Sequence, residues 1–168
     1  EIFQLLHSQY AIQHVYSHQE TGLNFSYAID KKIKQWVDSK KIIWSEYQEN
    51  GIVRGVKNRK DWVQNWYGYM HTPPVEVELL SLKTIRPDVE EFSPSFFKEM
   101  VLDENIQRGG EALALDLLNS FVSSRSTQYM YHISKPAQSR NSCNRLSPHL
   151  AWGSISIRQV YQAAYVAK

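Results

Sequence analysis

From His71 to about Phe96 the hydrophobic period of this chain fails, and Pro73, Pro74, Pro87 and Pro94 fall among acidic residues there. Proline ends helices and breaks sheet ladders, and aperiodic connections this long are uncommon inside one compact unit; they mark a boundary or a functional loop. The stretch therefore predicts a division into residues 1–71, a linker at 72–96, and residues 97–168.

The two flanks carry different patterns. Ile2, Leu5, Leu6 and Tyr10 suggest the end of a helix, and the short, mostly apolar run 12–18 reads as a strand followed by the loop HQETG. Residues 25–40 place Tyr27, Ile29, Ile33 and Trp36 at three- and four-residue intervals with Asp30, Lys31, Lys32 and Lys34 between them, the pattern of an amphipathic helix. A second strand is predicted over 41–47, a brief turn or edge strand over 51–55, and a helix over 61–70 with Trp62, Trp66 and Tyr69 at helical spacing. Alternating strands and helices imply a parallel sheet. After the linker, Gly109 and Gly110 precede Leu113, Leu117, Leu118, Phe121 and Val122 on one helical face, and everything beyond reads as helix or loop. The predicted fold class is α/β followed by all-α.

With 42% hydrophobic and 21% charged residues in 168, the composition is that of a globular protein, and a net charge of +2 does not by itself argue for nucleic acid. One cysteine excludes an internal disulfide framework. No stretch resembles a signal peptide and no apolar run approaches about 18 residues, so a cytoplasmic protein without a membrane partner is expected.

Chemistry is concentrated in 139–160, SRNSCNRLSPHLAWGSISIRQV. Ser147 before Pro148 reads as an N-cap with proline in the first turn. Leu150 and Trp152 supply apolar side chains, and Gly153 closes a short helix. Ser156 caps a second helix with Ile157, Val160, Tyr161 and Ala164 at helical spacing. Ser142, Cys143, Asn144 and Arg145 precede the first helix, where unpaired N–H groups and the helix dipole favour an anion such as phosphate or pyrophosphate.

The string CNRLSPHLAWGSISIRQV, with SKP upstream, resembles the flavin-binding signature of the photolyase and cryptochrome family. YSHQETGLNFSYAIDKKIKQW and GIVRGVKNRKDWVQNWYGYM are similar to the family's antenna domain, so the likeness covers nearly the whole chain. It implies a partial Rossmann-like antenna domain, a linker, and the first helices of a helical FAD-binding domain. It also implies FAD as cofactor, with its pyrophosphate against Cys143, Asn144, Arg145, Leu146 and Ser147 and a further contact from Tyr131, Tyr129 being a near rival. Lys135 falls on a position that contacts the DNA backbone, making UV-damaged DNA the implied partner. The family commonly has threonine or serine where Cys143 stands and serine where Asn144 stands, so one strong donor is exchanged for a weak S–H. The implied function is light-driven repair of pyrimidine dimers by electron transfer from FAD. The alternatives are a cryptochrome photoreceptor without repair, and a degenerate α/β module lacking flavin.

The apolar pattern already running at EIFQLLHSQYAI and the stop inside the last helix predict a fragment of a longer parent, expected by itself neither to repair DNA nor to hold FAD stably. The family's folate-holding Asn-Glu pair falls near Phe25 and Ser26, which cannot replace it. His18, Glu20 and Thr21 are thus expected to stabilise their own turn rather than hold an antenna pigment. His14 and His18 lack a metal-binding spacing on a strand. His132 and His149 are expected on the surface or in packing, Trp36, Trp44, Trp62 and Trp66 in the core, and Lys31, Lys32 and Lys34 on a solvated helix face.

Overall fold

The computed structural model describes residues 2–78, 81–85 and 106–167, so Pro87, Pro94 and most of the expected linker lie outside the described residues. The chain divides into two compact units, Glu1–Trp66 with Leu79–Val89 and Tyr67–Glu78 with Glu90–Lys168.

The first unit contains α1 (Ile2–Tyr10), β1 (His14–His18), α2 (Asn24–Ser39), β2 (Ile43–Tyr47) and the start of α3 (Trp62–His71). β1 and β2 pair in parallel, His14 opposite Ile43 through His18 opposite Tyr47, with α2 as the crossover. The return from α2 is a tight helix stop: Lys41 adopts φ 57°, its N–H reaches the Asp38 carbonyl, and the Ile42 N–H reaches the Val37 carbonyl at 2.9 Å. That six-to-one bond satisfies an orphan carbonyl at the helix end, and the two residues it joins, Val37 and Ile42, are the buried hydrophobic residues of this unit among those described. Trp44 Nε1 donates to Ser17 Oγ at 2.9 Å, tying the half-buried face of the sheet across the strands.

Two expectations for this unit are corrected. Tyr27 and Ile29 are exposed, and Val37 is the buried residue of α2, because an apolar period defines a stripe and not how much of it a neighbour covers. Trp62 is 48% exposed rather than core, its ring stacked on that of Trp66. Lys31, Lys32 and Lys34 lie on the solvated face as expected, Lys34 paired with Asp38 one turn on. The HQETG loop supports its own turn, the Gly22 N–H donating to the Glu20 carboxylate and Ser26 Oγ to the Leu23 carbonyl.

The regular elements of the second unit are all helical among the described residues: the end of α3, α4 (Glu111–Ser123), a 3-10 turn (Arg125–Gln128), α5 (Tyr129–His132), α6 (Pro136–Ser142), α7 (Ser147–Ala151) and α8 (Ile157–Val166). Ala114, Leu118, Leu146 and Ile155 form its core, with Leu115, Leu117, Val122, Leu150, Val160 and Ala163 packed around them. Leu113 and Ala164, expected on core faces, are exposed; Ala114 and Ala163, each one residue away, face inward instead. Trp152, which follows the last residue of α7, is 88% exposed.

The architecture is thus mixed α/β, mostly helical, with one two-stranded parallel sheet among the described residues. No helix there is long and apolar enough to cross a membrane.

Candidate functional site

The 139–160 stretch folds as two short helices around a sharply bent loop. Pro136 starts α6 without an unpaired N–H, and the Lys135 carbonyl accepts from Gln138 and Ser139 to close its first turn. After α6, Cys143 is extended, and Arg145 takes φ 59°, a left-handed conformation uncommon for a residue with a Cβ. Two side chains hold that bend. Asn144 Oδ1 accepts from the Leu146 N–H at 3.0 Å, and Gln107 Nε2 donates to the Arg145 carbonyl at 2.9 Å. The bend drives Leu146 into the core at 1% exposed and leaves Ser147 at the surface.

This corrects the expected cap. Leu146 occupies the cap position of α7, Ser147 is the first helical residue, and no side chain caps the end. The Asn144 amide oxygen, engaged one residue earlier, takes the place of a serine cap. At the other end the expectation holds: Gly153 has φ 69°, its N–H reaches the Leu150 carbonyl, and the Ser154 N–H reaches the His149 carbonyl at 2.8 Å. Ser156 and Gln159 form a reciprocal capping box on α8.

Two arginines flank the loop. Arg145 donates from Nε and Nη2 to Gln107 Oε1, both at 3.2 Å, leaving three of its five N–H groups. Arg125 spans from α4 to the loop: Nε donates to Ser120 Oγ, Nη2 to the Leu117 carbonyl at 2.6 Å, and Nη1 to the Asn141 and Cys143 carbonyls. Partial burial, then the charge of Arg145, lower the Arg125 pKa, while Cys143 opposes them. Both guanidiniums thus bind neutral acceptors and repel each other, and an anion beside them would relieve that repulsion. Arg125 and Gln107 were not singled out in the sequence. Neither lies in the signature, and their nearness to it is set by the packing of α4.

The donors left over are the Arg145 N–H groups, the Asn144 NH₂ and the exposed Ser147 hydroxyl. One guanidinium with two neutral donors, and a second guanidinium close by, suits a phosphate or pyrophosphate. Cys143 contributes its carbonyl to Arg125 and remains a free, half-buried thiol. Tyr131 is exposed on α5, whereas Tyr129 packs edge-on against Phe121 with centroids 5.9 Å apart. Lys135 is exposed at the start of α6. The structure therefore brings together Cys143, Asn144, Arg145, Leu146 and Ser147, and places Tyr131 within α5 and Lys135 at the cap position of α6.

His149 is 2% exposed, and its two ring nitrogens have no hydrogen-bond partner among the described residues. His14 stacks on Tyr16 on the exposed sheet face, and no group of three or more His, Cys, Asp and Glu among the described residues could hold a metal ion. At the carboxyl edge of the sheet a cleft of about 580 Å³ is lined by Gln19 and Gln48, each directly after a strand, with Tyr27 and Arg54. His18, Glu20 and Thr21 do not line it. No protein-family model matches the chain, and no curated protein sequence matches it.

Proposed function

We propose that the chain belongs to a blue-light flavoprotein of the photolyase and cryptochrome kind, and that loop 143–147 holds the pyrophosphate of FAD. In this reading the parallel strand pair is part of a Rossmann-like antenna domain, and the helices from Glu111 onward begin the FAD-binding domain. The observation that carries it is the bent, signature-bearing loop with Arg145 backed by Arg125 and, among the described residues, no carboxylate among the partners of either. Arg145 and Ser147 contact the phosphates, Asn144 donates through its NH₂, Leu146 anchors the loop in the core, and the Cys143 carbonyl fixes Arg125. Tyr131 is the exposed aromatic for a further cofactor contact, and Lys135 meets the DNA backbone as a point charge. When bound, FAD supplies light absorption and the electron given to a pyrimidine dimer; the chain supplies position and charge. An antenna pigment belongs at the sheet-edge cleft, where ligands of open α/β sheets bind.

The test is calorimetric titration of the chain with inorganic pyrophosphate, and FAD content in the longest natural form. Arg145→Ala should weaken both, and unchanged binding in both refutes the assignment. Repair of dimer-containing DNA under blue light separates a photolyase from a cryptochrome, which shares the flavin but does not repair.

A further inference from the structure

The loop between β2 and α3 lies outside the flavin reading and gathers features of a different kind. Arg54, Lys57, Arg59 and Lys60 stand within seven residues, with Asp61 as the acid at its end. Arg54 is neutralised by Glu46, which accepts from it through both carboxylate oxygens at 3.1 and 3.2 Å. Lys57, Arg59 and Lys60 are exposed and make no ion pair among the described residues. The loop has a defined shape. Gly55 turns it at φ 78°, Asn58 Oδ1 accepts from the Lys60 N–H at 3.0 Å, and the Trp62 N–H reaches the Arg59 carbonyl as α3 begins.

Directly under this loop is a cleft of about 300 Å³, at the lower bound of small-molecule sites. Its walls include Val56, Asn58, Asp61, Trp62 and Asn65. Trp62 is 48% exposed and held by its stack with Trp66, centroids 6.3 Å apart and planes 19° apart, so an indole surface is presented at low entropic cost. Cations along a fixed loop, an ordered exposed indole and side-chain amides are the parts from which single-stranded nucleic acid sites are built: backbone charge is neutralised along the rim while a base stacks beneath.

We propose that the loop of residues 54–60 and Trp62 form a docking site for single-stranded nucleic acid, one base lying against Trp62 and the adjoining phosphates meeting Lys57, Arg59 and Lys60. Charge complementarity selects a polyanion, and the cleft beside the indole selects one carrying planar bases. Asp61 lies in the same cleft, and its carboxylate can accept from a base N–H, such as N3–H of thymine, while repelling phosphate, which keeps the backbone on the lysine side. The site uses no residue of loop 143–147, so it stands or falls apart from the flavin reading.

The experiment is anisotropy of a fluorescein-labelled, undamaged thymidine decamer titrated with the whole chain in the dark, at several salt concentrations. Log affinity should fall linearly with log salt, and the triple variant K57E/R59E/K60E should flatten that slope by about 2, three cations at about 0.7 each. Trp62→Ala should lower affinity roughly tenfold or more at unchanged slope, the signature of lost stacking. Lys32→Glu with Lys40→Glu, on and just after α2, makes a charge change of similar kind away from the loop and should leave the slope nearly intact. Circular dichroism checks that each variant is folded. A slope unchanged in the triple variant, an equal loss in the α2 pair, or a heparin oligosaccharide bound as tightly as the decamer and equally by the Trp62 variant would overturn the proposal. A uridine decamer that behaves as the thymidine one supports it and shows that the 2′-hydroxyl is not read.

Discussion

Arg125 is the side chain on which the geometry of loop 143–147 most depends, and its replacement gives the sharpest test of the structure. Its guanidinium makes four hydrogen bonds, to Ser120 Oγ and to the carbonyls of Leu117, Asn141 and Cys143, and its plane lies over Phe121 at 5.8 Å. Hydrogen bonds to a charged group contribute about 1.5–3 kcal/mol each when the partner is left unsatisfied. Here the carbonyls are only partly buried, water can replace part of what is lost, and relief of the Arg145 repulsion offsets more. Two well-shielded bonds, those to Leu117 and Cys143, at the low end of that range give about 3 kcal/mol for Arg125→Ala. With a urea m-value of about 1–2 kcal/mol per molar for a unit this size, the midpoint should fall by about 1.5–3 M. Arg125→Lys keeps the charge but not the fork, so it can serve one of the two carbonyl groups and should recover less than half. The assay is urea unfolding of the second unit by circular dichroism, with amide exchange at Leu146 as a local readout. A midpoint unchanged in the alanine variant, or full recovery with lysine, would refute the argument that a bridging fork, rather than a positive charge, holds the loop.

Three further outcomes follow from individual residues. Ser156→Ala removes one half of the capping box on α8 and should cost about 1 kcal/mol of stability, read as a lower urea midpoint, with Ser156→Asp retaining most of it. Gly153→Ala meets no atom within 4 Å of the added Cβ, so only the strain of φ 69° is felt; a loss of about 1–2 kcal/mol is expected, and a loss well beyond it would mean a steric clash. Tyr161 has its phenol raised above the ordinary 10.0 by partial burial and then by Tyr67 and Tyr165. Its folded form keeps the proton longer than the unfolded form, so this contribution is complete below pH 10 and is lost as pH rises through the higher folded value. Tyr161→Phe should therefore flatten the alkaline fall of thermal stability, and a fall of the same steepness in the variant would count against that assignment.

Much of the backbone was legible because local signals and packing agree here. The strand expected at 41–47 spans Ile43–Tyr47, the helix at 25–40 spans Asn24–Ser39, and that at 61–70 spans Trp62–His71. Gly153 and Ser156 were readable because a left-handed stop and a cap are decided within a few residues. What failed was decided at longer range. Tyr27, Ile29, Leu113 and Ala164 fit an apolar helical period yet lie exposed, since periodicity defines a stripe and not how much of it a neighbour covers. Lys41 closes α2 in a conformation that glycine usually supplies, which no propensity would have singled out. Gln107 and Arg125 touch the loop from 38 and 18 residues away, and nothing in their neighbourhoods marks them.

The signature loop itself shows why such a sequence reads as binding and folding at once. Leu146 fills the core, the Cys143 carbonyl receives Arg125, and Asn144 Oδ1 restrains the turn, so three of the five residues have a duty that needs no ligand. Arg145 and Ser147, like the Asn144 NH₂, keep most of their donors free, and Arg145 is held in a left-handed conformation by Gln107. A glycine there would relax the backbone and preserve the turn, whereas alanine keeps the strain and removes the charge. Comparing Arg145→Gly with Arg145→Ala therefore separates the two duties. If the loop is chiefly structural, glycine should match or exceed the wild type in urea midpoint and alanine should fall below it. If the anion is the reason for an arginine at this position, both variants should lose pyrophosphate binding alike, whatever their stability.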